Sequence, residues 1–422
     1  METIQSVRGT RDFYPNDMSF RQWLYAKIRS ASERFGYQEF DGPFLERLDL
    51  YAAKSGEELV KEQSFVFEDR GGEMLALRPE LTPSLARMVA TKSNSLSRPI
   101  RWWSFGPFWR YERPQRGRSR EFFQWNIDLI GIESPEADAE VVAAGAEFLR
   151  GVGLSSDAVQ ILVNDRRLAE SQLKAIGIDA DRQALVFRLI DRRDRMATEK
   201  WTAWALDEGL NRKELDELLA MFEHREAWRS STPLQRFFAA ADSLGVGDYV
   251  AYDPTVIRGL DYYTGTVFEA RAAEGNYRAI LGGGRYDDLV SAVGGEPVPA
   301  TGFAMGDMVI RLVLEQYNAI PTFDSRPADI LVTTFDEDGL MATLKLATEF
   351  RNSGLAVEWY PAAEKLAKQL KYANRVEARV VVILGPDEVA ADTVTIRDMS
   401  SGEQQTVPRS EAVAFAKGLV MA

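Results

Sequence analysis

Along the chain the spacing of apolar positions changes rhythm repeatedly, and each change marks an expected element. After Asn16-Asp17, the residues Phe20, Trp23, Leu24, Ile28, Ala31 and Phe35 fall on one helical face, with Asn16 or Asp17 suited to the N-cap and Gly36 to the stop. "YQEF" reads as a short strand, broken by Gly42-Pro43. "SFVFED" and "MLALRP" read as strands joined at Arg70-Gly71-Gly72, a hairpin signal. "ELTPSLARMVA" then opens a helix, with Thr82 placed to cap it and Pro83 at its first position. "IRWWSFGPFWRYE" and "EFFQWNIDLIG" read as two strands joined by the polar loop "RPQRGRS"; the helix Ala137–Arg150 and a buried strand, "AVQILVND", follow.

From Asp165 to about Gly247 the pattern is almost wholly helical and charged, which predicts a helical insertion. Strand rhythm resumes in "RGLDYYTGTVFEAR" and "YRAILGGGRYDDLV". Beyond the Pro-containing linker "YNAIPTFDSRPAD", the strands "ILVTTF", "AVEWYP" and "VVVILG" alternate with helices reaching Phe350 and Tyr372. That alternation predicts an α/β domain with a largely parallel sheet. The expected division is a main domain in two parts, 1–164 and 248–320, the insertion at 165–247, and the α/β domain at 328–422.

Composition narrows the chemistry. The chain has no cysteine and one histidine, His224, so disulfides, thiolate sites, histidine metal clusters and a Ser–His–Asp triad are all excluded. His224 sits in "MFEHREAW", which reads as ordinary helix, and a structural role is expected. No stretch offers roughly 18 consecutive apolar residues, and the N-terminus lacks an export signal, so a cytoplasmic protein without a membrane span is expected. With 64 acidic against 51 basic side chains, the charge balance argues against a general nucleic-acid coat protein, although local basic patches remain open.

Four stretches could carry chemistry. "RYERPQRGRSREFFQ" gathers Arg110, Arg113, Arg116, Arg118 and Arg120, whose planar forks match phosphate geometry. Strand alternation would place Arg110 with Glu112 on one face, and Gln124, Asn126 and Asp128 together on the returning strand. An internal polar cavity and a solvated polar face fit this spacing equally well. "RPELT" sets Glu80 where a strand becomes a helix, a position favourable to anions. "RGLDYYTG" places Arg258, Tyr262 and Tyr263 together, and phenolic hydroxyls suit the reading of a polar heterocycle. In "LGGGRYDDLV" three glycines allow close backbone approach to a ligand, next to Tyr286.

Taken in this order, these motifs resemble class II aminoacyl-tRNA synthetases, and the chain is similar to histidyl-tRNA synthetases from "RGTRDFYP" to "GEQQTV". "FWRYERPQRGRSREFFQ" resembles the second class II motif, "RGLDYYTGTVFE" and "LGGGRYDDLV" resemble the two histidine-specific signatures, and "LAKQLKYANR" with "VVVILG" resembles the anticodon-binding domain. The resemblance implies an α+β fold, with an antiparallel catalytic sheet flanked by helices, a helical insertion and a C-terminal α/β anticodon-binding domain. It implies a homodimer that joins histidine to tRNA(His) through histidyl-adenylate, using ATP and Mg2+. By the same resemblance Arg110 and Arg258 act catalytically at the α-phosphate and also belong to the histidine site, where Arg110 meets the substrate carboxylate, and Arg110 contacts ATP as well. Glu80, Thr82 and Gln124 hold the substrate ammonium, and Asp128, Tyr262, Tyr263 and Tyr286 complete the histidine site. Glu112 and Arg118 meet ATP, and Gln115, Arg116 and Arg118 form the loop for the tRNA acceptor end; metal ligands stay unassigned. One departure concerns the third motif. "GFAMGDMVIRL" has Val309 where an arginine is usual, and Arg311 stands two residues on, a rotation of roughly 200° about a helix. The rival expectation is a histidine-binding regulatory subunit of ATP phosphoribosyltransferase, a reading opposed by the presence of the last domain and of Arg258.

Overall fold

The computed structural model describes residues 3–52, 63–193, 196–257, 263–324 and 326–421. It divides into two compact units, Met1–Pro321 and Thr322–Ala422.

The first unit begins with α1 (Pro15–Arg34), which buries Phe20, Leu24, Ile28 and Ala31. Its N-cap is Tyr14, with no side-chain bond, rather than Asn16 or Asp17. Pro15 explains the earlier start, because its fixed φ suits the first helical position and its missing N–H removes an unpaired donor. After β1 (Gln38–Glu39) comes a small antiparallel sheet of β2 (Leu45–Arg47), β3 (Phe65–Glu68) and β4 (Met74–Leu77), with β4 central and α2 (Leu48–Ala52) between β2 and β3 in the chain. Helix α3 (Thr82–Thr91) is capped at Leu81 without a side-chain bond, so Thr82 is its first residue and not its cap.

A larger sheet organises the unit. Its strands are β1, β5 (Ile100–Trp109), β6 (Glu121–Ile130), β7 (Val159–Asp165), β8 (Val250–Tyr252), β9 (Thr266–Ala272), β10 (Leu281–Arg285) and β11 (Ala300–Gly306), in the spatial order β1-β5-β6-β11-β10-β9-β7-β8. Every central pairing is antiparallel, and only the outer pairs β1–β5 and β7–β8 are parallel. Helix α4 (Pro135–Gly151) covers one face, its N-terminus closed by Ser134, whose hydroxyl accepts from the Ala137 N–H.

Between β7 and β8 run α5 (Arg166–Ala175), α6 (Ala180–Arg193), α7 (Thr198–Asp207), α8 (Arg212–Glu223) and α9 (Thr232–Ser243). The first four share a core that includes Leu173, Leu189, Trp201, Leu218 and Phe222. Helix α9 instead packs on α4, where Arg236 makes a two-pronged bond to Glu136 at 2.8 and 2.7 Å. His224 follows the last residue of α8 and is exposed, so it packs no core. The short α10 (Leu289–Ala292) and α11 (Asp307–Gln316) complete the unit.

In the second unit β12 (Ile330–Val332), β13 (Val357–Trp359), β14 (Val380–Ile383), β15 (Thr393–Asp398) and β16 (Gln404–Pro408) form one sheet in the order β13-β12-β14-β15-β16. The first three are mutually parallel and the last two antiparallel, so the parallel character expected from the sequence holds only for the part crossed by α12 (Leu340–Asn352) and α13 (Leu366–Arg375). Val380 and Val382 point into one core, Val381 and Ile383 into another, as a strand covered on both faces requires.

Candidate functional site

Residues directly opposite across a sheet share a face. Gln124, Asn126 and Asp128 of β6 stand opposite Gly106, Ser104 and Trp102 of β5, and opposite Gly306, Ala304 and Gly302 of β11. The row continues to Gly282 and Gly284 of β10. One sheet face therefore carries five glycines, at 106, 282, 284, 302 and 306, around an amide, an amide and a carboxylate in line on β6. At Gly306 an added Cβ would meet nothing within 4 Å, so the floor beside Gln124 is open. On the opposite face Trp125, Ile127, Phe303 and Met305 are buried, and Trp125 lies 5.3 Å from Phe148 of α4. That side is filled, whereas the Asp128 side is packed against α3 and the Leu289–Ala292 helix at its Ile100–Ile130 end and open at its Gly306 end, and this open part is the hollow face.

The three consecutive glycines lie within β10, not in a turn before a helix. A Cβ at Gly283 would fall 2.0 Å from the Gly302 carbonyl oxygen, and one at Gly284 would fall 2.6 Å from that of Thr266. Gly283 and Gly284 are thus required by the neighbouring strands, and only Gly282 and Gly284 lie on the hollow face.

Asp128 lies at the edge of this floor. Its carboxylate passes over Gly302, where a Cβ would be 2.1 Å from Oδ1, and it accepts the Tyr286 hydroxyl at 2.5 Å. Burial raises the Asp128 pKa to about 7, with the Tyr286 bond opposing the rise. The Tyr263 ring covers Gly284, with Cδ1 at 2.9 Å from a Cβ placed there. Asn126 Nδ2 and Ser104 Oγ, directly opposite each other, are buried and have no hydrogen-bond partner among the described residues. Two unmet polar atoms side by side on a hollow face are what a polar ligand would satisfy.

Arg78 shapes the neighbouring wall. It is fully buried between the Phe44 and Phe108 rings, at 4.5 and 4.6 Å, and donates to Pro107 O at 2.9 Å, Asp41 Oδ1 at 2.5 Å and Gly42 O at 3.0 Å. This holds the Pro79-Glu80 turn, and Pro79 O in turn accepts Arg110 Nε at 2.9 Å. Glu80 is buried and Thr82 half-buried beside it.

The expected alternation of Arg110 and Glu112 does not hold. Strand β5 ends at Trp109, and the Glu112 N–H turns back to the Arg110 carbonyl at 2.7 Å, so the period of two is lost. Arg110 lies 5.2 Å from the Phe122 ring. Glu112 is buried against Arg118 in an ion pair, and its Oε1 has no hydrogen-bond partner among the described residues. Beyond it, Gln115 and Arg118 exchange backbone bonds at 3.0 and 2.9 Å around Gly117, whose φ of +75° favours glycine. Arg116 lies 5.6 Å from the Tyr277 ring, and Arg120 4.2 Å from that of Tyr111. The loop rests on α11, where Leu312 and Val309 would each be 3.6 Å from a Cβ at Gly117. Arg311 faces the other way, bonded to Glu315 at 3.1 Å and Asp17 at 3.4 Å, as the helical rotation predicts.

Arg258 and Tyr262 lie outside the described residues. The remaining candidates fall into three groups: first Gln124, Asp128, Tyr263 and Tyr286 on the hollow face, and second Gln115, Arg116 and Arg118 in the loop with Glu112. The third group, Glu80, Thr82 and Arg110, meets at the Pro79 turn. Sequence reasoning missed Arg78 as an organiser; its signal was an arginine in an apolar strand two residues before Glu80. No group of three or more Asp, Glu or His side chains among the described residues could hold a metal ion.

Comparison with known proteins assigns the class. A family model described as histidyl-tRNA synthetase matches residues 9–308, and one for an anticodon-binding domain matches 329–419. A histidyl-tRNA synthetase structure from Nostoc sp. PCC 7120 superposes with a TM-score of 0.79 at 24% identity, covering 99% of this chain and 100% of that one. The apo S. aureus histidyl-tRNA synthetase gives 0.75 at 24% identity over 98% and 100%. The fold is that of a class II aminoacyl-tRNA synthetase. Curated relatives narrow it: the histidine–tRNA ligase of Haloarcula marismortui is 37% identical over 96% of each chain. The chloroplastic/mitochondrial one of Arabidopsis thaliana is 37% identical over 97% of this chain and 86% of its own. The chain belongs to the histidyl-tRNA synthetase family.

Proposed function

We propose that the protein is a histidine–tRNA ligase, forming histidyl-adenylate from histidine and ATP and passing the histidyl group to the terminal ribose of tRNA(His). The observation that carries this reading is the buried Asp128–Tyr286 pair beside a floor of backbone. A neutral imidazole has one N–H donor and one acceptor nitrogen. Ionised Asp128 accepts from the ring N–H, while the tyrosines supply hydroxyls that both donate and accept. Gln124, Glu80 and Thr82 hold the substrate ammonium.

Activation is an in-line attack of the histidine carboxylate on the α-phosphate, governed by alignment and charge neutralisation rather than by a side-chain nucleophile. Arg110 and Arg258 supply that charge. Glu112 and Arg118 meet ATP, and the buried, unmet Glu112 Oε1 is the side-chain oxygen that would hold Mg2+. The metal would neutralise phosphoryl charge. Gln115, Arg116 and Arg118 meet the tRNA acceptor end, the second unit meets the anticodon side, and the enzyme works as a cytoplasmic homodimer. Match of residues 329–419 to an anticodon-binding model disfavours the regulatory-subunit reading. The test is exchange of labelled pyrophosphate into ATP with a panel of amino acids: exchange with histidine alone is expected, and no exchange with any amino acid rejects the proposal.

A further inference from the structure

The two strands that bring Tyr263 and Tyr286 to the hollow face are tied together behind the sheet. Gly284 lies on the pocket floor and Tyr286 reaches Asp128, whereas Arg285 between them turns to the opposite face, toward α4. Arg285 and Asp138 are each 1% exposed. Arg285 donates from Nη2 to Asp138 Oδ1 at 2.7 Å and to Ser134 O at 3.2 Å, and from Nη1 to Ile132 O at 3.1 Å and to Asp287 Oδ1 at 3.3 Å.

The same two carboxylates hold the other strand. Asp138 Oδ2 accepts from Thr266 at 2.7 Å, and Asp287 Oδ2 accepts from Thr264 at 2.6 Å. Thr264 N–H also donates to Arg285 O at 2.8 Å. The backbone just after Tyr263 and just before Tyr286 is therefore clamped to one buried cation, which points away from the pocket.

We infer that Arg285 and Asp138 are positioning residues for histidine recognition: they fix the separation of Tyr263 and Tyr286, and hence the register of Tyr286 on Asp128. This rests on the function proposed above. A buried ion pair is a weak source of stability, and an apolar pair of similar volume often serves a fold equally well. What an apolar pair cannot supply is direction, because a guanidinium fixes several acceptors at set angles. Fold and recognition should thus separate on substitution.

The experiment uses full-length protein and the histidine-dependent exchange assay. Failure of the wild-type protein to exchange with histidine rejects the proposed function itself, whatever the variants do. Given an active wild type, the pair Arg285→Met/Asp138→Leu is compared by melting and by separate KM values for histidine and ATP. The expected result is a folded protein whose histidine KM rises about tenfold or more while its ATP KM stays within about threefold. Arg285→Lys, which keeps the charge but not the fork, should fall between it and the wild type. A folded double variant with unchanged histidine KM overturns the inference, as does an equal rise for both substrates. Should the double variant fail to fold, Thr264→Val/Asp287→Asn cuts the half-buried end of the same tie. A selective rise in histidine KM there supports the inference, and no change overturns it.

Discussion

Asp128 shows how much one buried group can decide. Burial raises its pKa from 3.8 to about 7, so the folded protein holds a proton that the unfolded chain releases across that interval. The stabilisation is complete below pH 3.8 and is lost as pH rises through about 7. Asp128→Asn removes this titration, and its melting temperature should fall less than that of the wild type between pH 5 and pH 8, in a comparison of thermal melts at the two values. Parallel pH profiles would show that Asp128 does not titrate in this range. The same variant should raise the histidine KM by about tenfold or more at pH 8, above the Asp128 pKa of about 7, because it replaces a carboxylate acceptor with a neutral amide. The shared face of Gln124, Asn126 and Asp128 was legible in the sequence, since strand alternation needs only a strand. Arg110 and Glu112 were misread because a turn one residue past Trp109 breaks the period, and nothing in "RYERP" marks where β5 ends.

At the level of elements, β10 has the least tolerance. Gly283 lies so near the Gly302 carbonyl that alanine there must push β10 and β11 apart. Gly283→Ala should cost about 3 kcal/mol, in the upper range for overpacking, and should lower the denaturation midpoint well beyond experimental error. A midpoint equal to that of the wild type would mean that the strands move apart without strain. The glycine run was visible in the sequence, but its meaning was not, because a crowded strand and a ligand turn use the same residue for different reasons. Long periodic elements such as α1, β5, β6 and α4 could be read directly. The caps at Tyr14 and Leu81 and the short strand β2 could not, since each depends on contacts distant in the chain.

For the whole molecule, the apolar surface matters most. Leu45 and Phe67 stand on the same face of the small sheet, 42% and 44% exposed, beside Phe44 at 46%. Exposed apolar groups clustered on a sheet mark an interaction surface, and a second copy of the chain fits the homodimer proposed here. Leu45→Glu/Phe67→Glu should shift the mass measured by light scattering from dimer toward monomer; an unchanged dimer would place the interface elsewhere.

The bare floor of the hollow has a consequence for how such a pocket can change over time. Where a cavity is lined by side chains, substitution can enlarge it as readily as fill it. At Gly302, Gly306, Gly282 and Gly284 every possible replacement adds atoms, so at these positions mutation can only narrow the space. Drift toward a bulkier amino acid is closed off there, and any shift of preference has to come from the rim.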